Sequence, residues 1–180
     1  GNLTDSMGRY AIASNGLRFA ADRDGRPSSA LRSDGTGNYL SVAPDERLNA
    51  LSAFTLVFRV RLDSLGDTRY LASKWDRAEG DRAEGKFTVQ TAGGSLTLFL
   101  VAPDGRYSWL SARSVLQPLT WQTVAVSFSA GRAAIYVDGV EVEGRTFPFT
   151  ELRTDDSPLL IMTAEANADG YTLSLGRGRL

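Results

Sequence analysis

The sequence contains no cysteine and no histidine. Without cysteine there is no disulfide, no thiolate metal ligand and no cysteine nucleophile. Without histidine the chain lacks the most common general base, the usual zinc ligand and the machinery of a Ser-His-Asp triad. Aspartate and glutamate remain, and these side chains suit acid–base chemistry on sugars or the binding of hard cations such as calcium.

The chain also lacks a long apolar run and an excess of either charge. Its 20 Lys and Arg residues stand against 21 Asp and Glu residues, which gives a net charge of −1. No block of basic residues indicates a phosphate-backbone partner, and no run of about 18 apolar residues indicates a membrane span. We therefore expect neither nucleic-acid binding nor membrane insertion. The polar opening GNLTDSMGRY lacks the pattern of a signal peptide, so a removed signal and a longer parent chain both stay open.

Alternation of apolar and polar residues with period two predicts an all-β protein, and 180 residues suit one domain over 1–180. The clearest predicted strands are 54–62, 86–92, 95–102, 123–129, 133–139 and 158–164, and weaker ones lie at 39–43, 70–75, 107–113 and 171–178. Two-residue turns at Asp138-Gly139 and Gly93-Gly94 predict hairpins, and PDERLNAL predicts one short helical turn. Many strands with short turns indicate a sandwich of two antiparallel sheets.

A tandem duplication, DRAEGDRAEG, occupies residues 76–85 between a predicted strand that ends at Trp75 and one that begins at Lys86. We interpret it as an exposed loop, which tolerates insertions. A cation-binding loop that uses its four carboxylates is the alternative. The interleaved Arg77 and Arg82 argue against that alternative, because they neutralise two of the four charges.

The order of these pieces carries a resemblance to a known family. The segment AADRDGRPSSALRSDGTGNYLSVAPDERLN precedes FTLVFRVRL, YLASKWD and then LTWQTVAVSFSAGRAAIYVDGVEV. This order resembles the laminin G-like domains of the concanavalin A-like lectin/glucanase superfamily over nearly the whole chain. The opening GNLTDSMG is similar to the family's polar first loop. The closing LSLGRGRL is similar to its last strand without the usual acidic and aromatic residues. The resemblance implies an antiparallel jelly-roll sandwich with one concave and one convex sheet.

The superfamily includes laminarinase-type glycoside hydrolases, which share a Glu-x-Asp-x-x-Glu strand motif. Retaining hydrolysis needs two carboxyl groups about 5 Å apart. In VDGVEVEG, Glu141 and Glu143 share a strand face beside a loop, and Asp138 lies in a turn. A second acidic cluster lies in the loop of residues 151–156. Neither matches the motif, so we expect no catalytic residue and keep a hydrolase as an alternative.

Sugar sites in such sandwiches combine flat aromatic rings with polar side chains, because the C–H face of a pyranose stacks on a ring. The candidate ligand-binding residues are Trp75, Tyr107 and Trp109, of which the last two alternate on one face of YSWLS. Arg106 and Arg113 are nearby polar candidates. We expect Trp121, next to a series of alternating apolar residues, to fill the core below the sheet edge.

The resemblance also implies a structural calcium ion, because laminin G-like and pentraxin-like domains often carry one. Such an ion needs several oxygen ligands. Converging loops would offer Asn2 and Asp5, Asp22 and Asp24, and Asn167 and Asp169. Turns stabilised by Asp and Asn side chains are the alternative explanation of these residues.

These observations predict a non-catalytic carbohydrate-binding or adhesion module of an extracytoplasmic protein. Its expected partner is a glycan or a surface protein. A protein-interaction or spacer module of a larger surface protein or enzyme is the second possibility. The extracytoplasmic location rests on the resemblance.

Overall fold

A computed structural model describes residues 3–33, 37–66 and 68–162 and the backbone of 178–179. The strands are β1 (Ile12–Asn15), β2 (Arg18–Ala20), β3 (Ala30–Ser33), β4 (Tyr39–Val42), β5 (Phe54–Leu62), β6 (Arg69–Glu79), β7 (Arg82–Ala92), β8 (Ser95–Val101), β9 (Tyr107–Ala112), β10 (Trp121–Ser129), β11 (Arg132–Val137), β12 (Val140–Thr146), β13 (Leu159–Ile161) and β14 (Gly178–Arg179). The helical turn is α1 (Glu46–Asn49), and Asp45 caps it by accepting the N–H of Arg47. In these described ranges, no helix has the length and apolarity needed to cross a membrane.

The strands form two antiparallel seven-stranded sheets. The first sheet has the order β1-β4-β13-β6-β7-β8-β9, and the second has the order β12-β11-β10-β5-β14-β3-β2. The predicted all-β sandwich is confirmed, and the helical turn lies inside the segment predicted for it. Strands β1, β2 and β3, which are only three or four residues long, were not predicted from the sequence.

One hydrophobic core lies between the sheets. In β8 the leucines at 96, 98 and 100 are fully buried, and in β10 Val124, Val126 and Phe128 are equally buried. The residues between them in each strand are only partly buried or exposed. The core therefore follows from strand pleating, because alternate side chains point to opposite sides of a sheet.

The position of Trp121 differs from the prediction. Within β10 the even-numbered positions from Gln122 to Phe128 are buried, whereas Trp121 is only partly buried. It stands opposite Arg61 on the outward side of the second sheet. The prediction of a core side chain was wrong because Trp121 has the opposite parity to Val124 and Phe128.

Two predicted turns have the required backbone conformation. Asp138 and Gly139 have φ values of 49° and 85°, and Gly93 and Gly94 have values of 57° and 79°. Consecutive positive φ values match the right-handed twist of the strands that a two-residue turn connects. The hairpins β11–β12 and β7–β8 are therefore confirmed.

The duplicated segment forms a β-hairpin instead of the predicted loop. Strand β6 continues to Glu79 and β7 begins at Arg82, with Ala78 opposite Ala83 and Glu79 opposite Arg82. The next register pair is Arg77 opposite Glu84. Antiparallel pairing of two identical copies sets each Arg position opposite a Glu position, and opposite charges across strands stabilise a sheet. The duplication thereby supplies both strands of its own hairpin.

The tip of this hairpin is bonded to the turn that joins β8 and β9. The N–H of Ala83 donates to the carbonyl of Gly105 at 2.8 Å, and the N–H of Tyr107 donates to the carbonyl of Asp81 at 3.3 Å. The Tyr107 hydroxyl also donates to the carbonyl of Gly80 at 3.3 Å. These bonds fix the hairpin beside β9.

The two glycines of the duplication have different environments. Gly85 has φ +143° and lies opposite Trp75, where an added Cβ would be 2.6 Å from the Trp75 Cα and 3.1 Å from the Lys74 carbonyl oxygen. Gly80, at the tip, has φ +59° and no heavy atom within 4 Å of such a Cβ. Only Gly85 therefore allows a close approach of β6 and β7.

The substitution Gly85→Ala should destabilise the fold and displace Trp75, because the new methyl group collides with backbone. We expect a loss of about 2–3 kcal/mol in the free energy of unfolding and a changed near-ultraviolet circular dichroism spectrum. Gly80→Ala is the matched control, and its left-handed φ alone should cost about 1 kcal/mol. Urea unfolding of both variants measures the two losses in the free energy of unfolding. Equal losses would contradict a close approach of β6 and β7 at Gly85.

The only lysines of the chain, Lys74 and Lys86, are both fully buried. The Lys74 ammonium donates to the carbonyls of Asp155 and Ser157 at 2.8 and 2.6 Å and pairs with the Asp155 carboxylate at 3.1 Å. The Lys86 ammonium donates to the carbonyl of Leu51 at 2.9 Å. The pKa of Lys86 is lowered from 10.5 to about 8, first by burial and then by repulsion from Lys74, while attraction by Asp155 opposes both.

This lowered pKa predicts a stability that rises with pH. The unfolded chain keeps the Lys86 proton up to pH 10.5, whereas the folded chain releases it near pH 8. Since the unfolded state binds more protons between these values, the free energy of unfolding rises with pH in that window. Between pH 8 and pH 10.5, the free energy of unfolding of the unsubstituted protein should rise by on the order of 3 kcal/mol relative to that of Lys86→Met. Urea titrations of both proteins would measure this gain, and a pH-independent difference between them would refute the prediction.

Candidate functional site

Four aromatic side chains meet on the outward side of the first sheet, and we call them the aromatic face: Trp75, Phe99, Tyr107 and Trp109. Phe99 of β8 stands directly opposite Trp109 of β9. Trp75 comes from β6, with β7 between it and β8. Gly85 of β7, opposite Trp75, carries no side chain, so the indole reaches the rings of the next two strands.

The rings of the aromatic face contact one another at edge-to-face and tilted angles. The Trp75 ring centroid lies 5.7 Å from that of Tyr107 and 6.3 Å from that of Phe99, at interplanar angles of 73° and 77°. Phe99 and Trp109 are 6.1 Å apart and tilted by 34°. Aromatic pairs with such geometry stabilise each other beyond the burial of their area. Trp109 still exposes 54% of its surface, so the cluster presents one large ring to solvent.

A polar cleft of about 490 Å³ lies at the end of the aromatic face where Tyr107 contacts the duplicated hairpin. Its lining comes from the hairpin tip, the β8–β9 turn and one further loop, namely Glu79, Gly80, Arg82, Ala83, Glu84, Asp104, Gly105 and Arg153. A second cleft of about 220 Å³ shares Glu84 and Arg153 and continues to Asp76 and residues 154–157. Carboxylates and guanidinium groups thus stand beside apolar rings.

The structure brings together all three aromatic residues that the sequence analysis named as ligand-binding. Tyr107 and Trp109 do project from one face, and Trp75 joins them from β6. Phe99 was not among the predicted site residues, although its position between the buried Leu98 and Leu100 indicates an outward side chain. Arg106 lies beside the cleft and pairs with Asp81 and Asp104 at 3.7 and 3.9 Å. Arg113 follows the opposite end of β9.

The residues proposed as calcium ligands are engaged by other groups where the structure describes them. The Asp5 carboxylate accepts the N–H groups of Met7, Arg9 and Tyr10, and the bonds to Met7 and Arg9 do most to lower the pKa of Asp5. Asp22 accepts two backbone N–H groups through one oxygen, and Asp24 pairs with Arg23 at 3.3 Å.

Among the side chains that the structure describes, no three acidic groups come together as a metal site. Asn2, Asn167 and Asp169 lie outside the described residues. The described loops therefore show the turn-forming role of Asp5 and Asp22 and form no calcium site by themselves, and calcium stays a prediction.

The carboxylates of the hydrolase alternative lie on the exposed edge strand β12. Glu141 accepts hydrogen bonds from Arg132 and from the Tyr136 hydroxyl, and Glu143 accepts the N–H of Gly144. A register shift separates the partners of Glu141 and Glu143, so the simple two-residue alternation between them is interrupted. These contacts give catalysis no support.

The fold is similar to that of several solved toxin domains. The binding domain of Paraclostridial Mosquitocidal Protein 1 is 13% identical with a TM-score of 0.70, and the match covers 96% of this chain and 42% of that one. The receptor binding domain of the botulinum neurotoxin C/D mosaic serotype is 10% identical with a TM-score of 0.70, covering 99% and 43%. That of botulinum neurotoxin type G is 11% identical with a TM-score of 0.67, covering 99% and 43%.

The chain spans about two fifths of the length of these structures, and identities this low show a shared fold alone. No curated protein matches the chain. A laminin G family model, described as the concanavalin A-like lectin/glucanases superfamily, matches residues 34–175. Together with the two-sheet jelly roll, this match shows that the chain belongs to the laminin G-like family of the concanavalin A-like lectin/glucanase superfamily.

Proposed function

We propose that this chain is a non-catalytic binding module that recognises a glycan through its aromatic face. The observation that carries the proposal is the meeting of four rings from three strands in one cluster, in which the exposed Trp109 packs against Phe99. Exposed tryptophan is costly to leave in water and is enriched where proteins bind ligands. If the cluster served only the stability of the fold, burial of the Trp109 ring would make the fold more stable.

The chemistry of the site suits a sugar. The apolar C–H face of a pyranose ring packs on the Trp109 indole, and its hydroxyl groups point outward to polar partners. The adjoining cleft offers Glu79, Glu84 and Asp104 as acceptors and Arg82 and Arg153 as donors. Because the hairpin and the tight turn hold most of these groups, little ordering of the backbone is needed on binding.

The fold relatives support an extracytoplasmic context for the proposal. The similar structures are a binding domain of a mosquitocidal protein and receptor binding domains of botulinum neurotoxins. By analogy, the partner of this chain is a molecule at a cell surface, and the module acts as part of a longer secreted or surface protein. A structural calcium ion would need further oxygen ligands, and Asn167 and Asp169 are the candidates that the sequence offers.

The substitution Trp109→Ala should weaken glycan binding at least about fivefold, because the stacking surface disappears. A broad array of neutral and charged oligosaccharides, probed in calcium and again in EDTA, would identify the ligand. Titration calorimetry with the best oligosaccharide would then compare the variants. Phe19→Ala is the matched control, since Phe19 is a 44% exposed aromatic residue at the edge of the second sheet.

The outcomes distinguish a glycan-binding module from a protein-interaction module and from a hydrolase. Loss of binding in Trp109→Ala but not in Phe19→Ala supports the aromatic face, and loss in EDTA adds calcium to the site. An array without signal in either buffer overturns the glycan proposal and favours a protein-interaction module. Release of sugar that disappears in Glu141→Gln would instead identify a hydrolase.

A further inference from the structure

Arginine side chains from separate strands line up across the second sheet. The register pairs Arg18 of β2 with Arg32 of β3, and it places Arg179 of β14 between Arg32 and Arg61 of β5. Residues directly opposite each other share a face of the sheet, so these positions form one straight row. Neighbouring strands are about 4.8 Å apart, so the row spans roughly 14 Å from Arg18 to Arg61. Strand β14 contributes its backbone to this alignment, and we call the side chains Arg18, Arg32 and Arg61 the arginine row.

The arginine row lies on the outward side of the sheet. In β5 the buried Val60 and Leu62 point to the core, which leaves Arg61 on the opposite side together with Arg59 two residues earlier. Arg18 and Arg59 are exposed, and Arg32 keeps 40% of its side chain in solvent. Arg59 extends the positive charge along β5 next to the row.

The positive charge of this face is only partly neutralised. Asp63 pairs with Arg32 at 3.1 Å and with Arg61 at 3.5 Å. No other acidic side chain of the described residues forms an ion pair with the row. Like charges directly opposite each other destabilise a sheet, so the row is unfavourable for folding by itself. An external anion that bridges the guanidinium groups would relieve this repulsion.

Exposed apolar side chains accompany the arginines on this face. Val57 has the same parity in β5 as Arg59 and Arg61 and is 61% exposed. Leu119 is 62% exposed, and its carbonyl accepts a hydrogen bond from Arg61 at 3.1 Å. Trp121, half-buried, stands opposite Arg61. A purely polyanionic ligand has no apolar surface to pack on the exposed Val57 and Leu119, so these side chains add nothing to its binding. A lipid surface offers phosphates to arginine and an apolar boundary to these side chains.

We propose that the outward face of the second sheet docks peripherally on an anionic phospholipid surface. The guanidinium groups of the arginine row and Arg59 bind headgroup phosphates, and Val57 and Leu119 rest at the boundary of the acyl region. The rigid sheet presents these groups in one plane without insertion of a helix. This face is separate from the aromatic face, so the module holds a glycan and a lipid surface on opposite sides.

Vesicle co-sedimentation of the full chain tests the docking. The double variant Arg18→Gln/Arg59→Gln should bind vesicles of phosphatidylglycerol and phosphatidylcholine about tenfold more weakly, since each arginine near the surface contributes to binding. Asp63→Asn should bind more tightly, because it removes the one carboxylate paired with the row. Arg113→Gln is the matched control for loss of an exposed arginine elsewhere and should bind as the unsubstituted protein does.

A second pair of substitutions distinguishes lipid from other polyanions. Val57→Thr keeps a β-branched residue in the strand, and Leu119→Asn suits the positive φ of 59° at that position. The combined variant should lose about fivefold in vesicle binding and nothing in binding to dextran sulfate. Equal binding to phosphatidylcholine alone, or an unchanged Arg18→Gln/Arg59→Gln variant, would overturn the proposal. The protein could instead bind dextran sulfate more tightly than vesicles, with the same affinity after Leu119→Asn. That result would assign the face to an anionic polymer.

Discussion

The pleat of the β-strand is the constraint on which every functional feature of this molecule depends. Because successive side chains point to opposite sides, Leu98 enters the core while Phe99 faces outward, and Val60 enters the core while Arg61 faces outward. One alternation therefore creates a shared core and two outer faces at once. A shift of one residue in either strand would bury the charged or aromatic set and expose the leucines and valines.

The two outer faces have different chemistry although they belong to one sandwich. The first sheet gathers aromatic rings from β6, β8 and β9, and the second gathers arginines from β2, β3 and β5. Neither set is continuous in the chain. Each is held on paired strands, so the backbone positions of its side chains are fixed before any ligand arrives. Such a scaffold can carry two recognition surfaces that do not compete for space.

Buried polar groups hold the loop and the hairpin that border the aromatic face. The buried Lys74 holds the loop of Asp155 and Ser157 through two carbonyls and a carboxylate. This loop follows Arg153, which lines the cleft beside the duplicated hairpin. A buried ammonium is unfavourable unless it is fully hydrogen-bonded, so the loop is confined to positions that supply acceptors. The hairpin in turn is bound to the β8–β9 turn next to Tyr107. The polar border of the rings therefore depends on contacts made below the surface.

The sequence by itself determined the fold class, most strand positions, the short helical turn and the two-residue turns, because periodicity and positive-φ residues are local properties. It also determined that Tyr107 and Trp109 share a face, since two residues of one strand separated by one position must do so. Only the tertiary structure decided that Trp75 and Phe99 join them, because that depends on strand order and on the missing side chain of Gly85. The arginine row depends on pairing between strands that are far apart in the chain, from Arg18 to Arg61. Register between distant strands sets such pairs, and no local pattern of residues reports it.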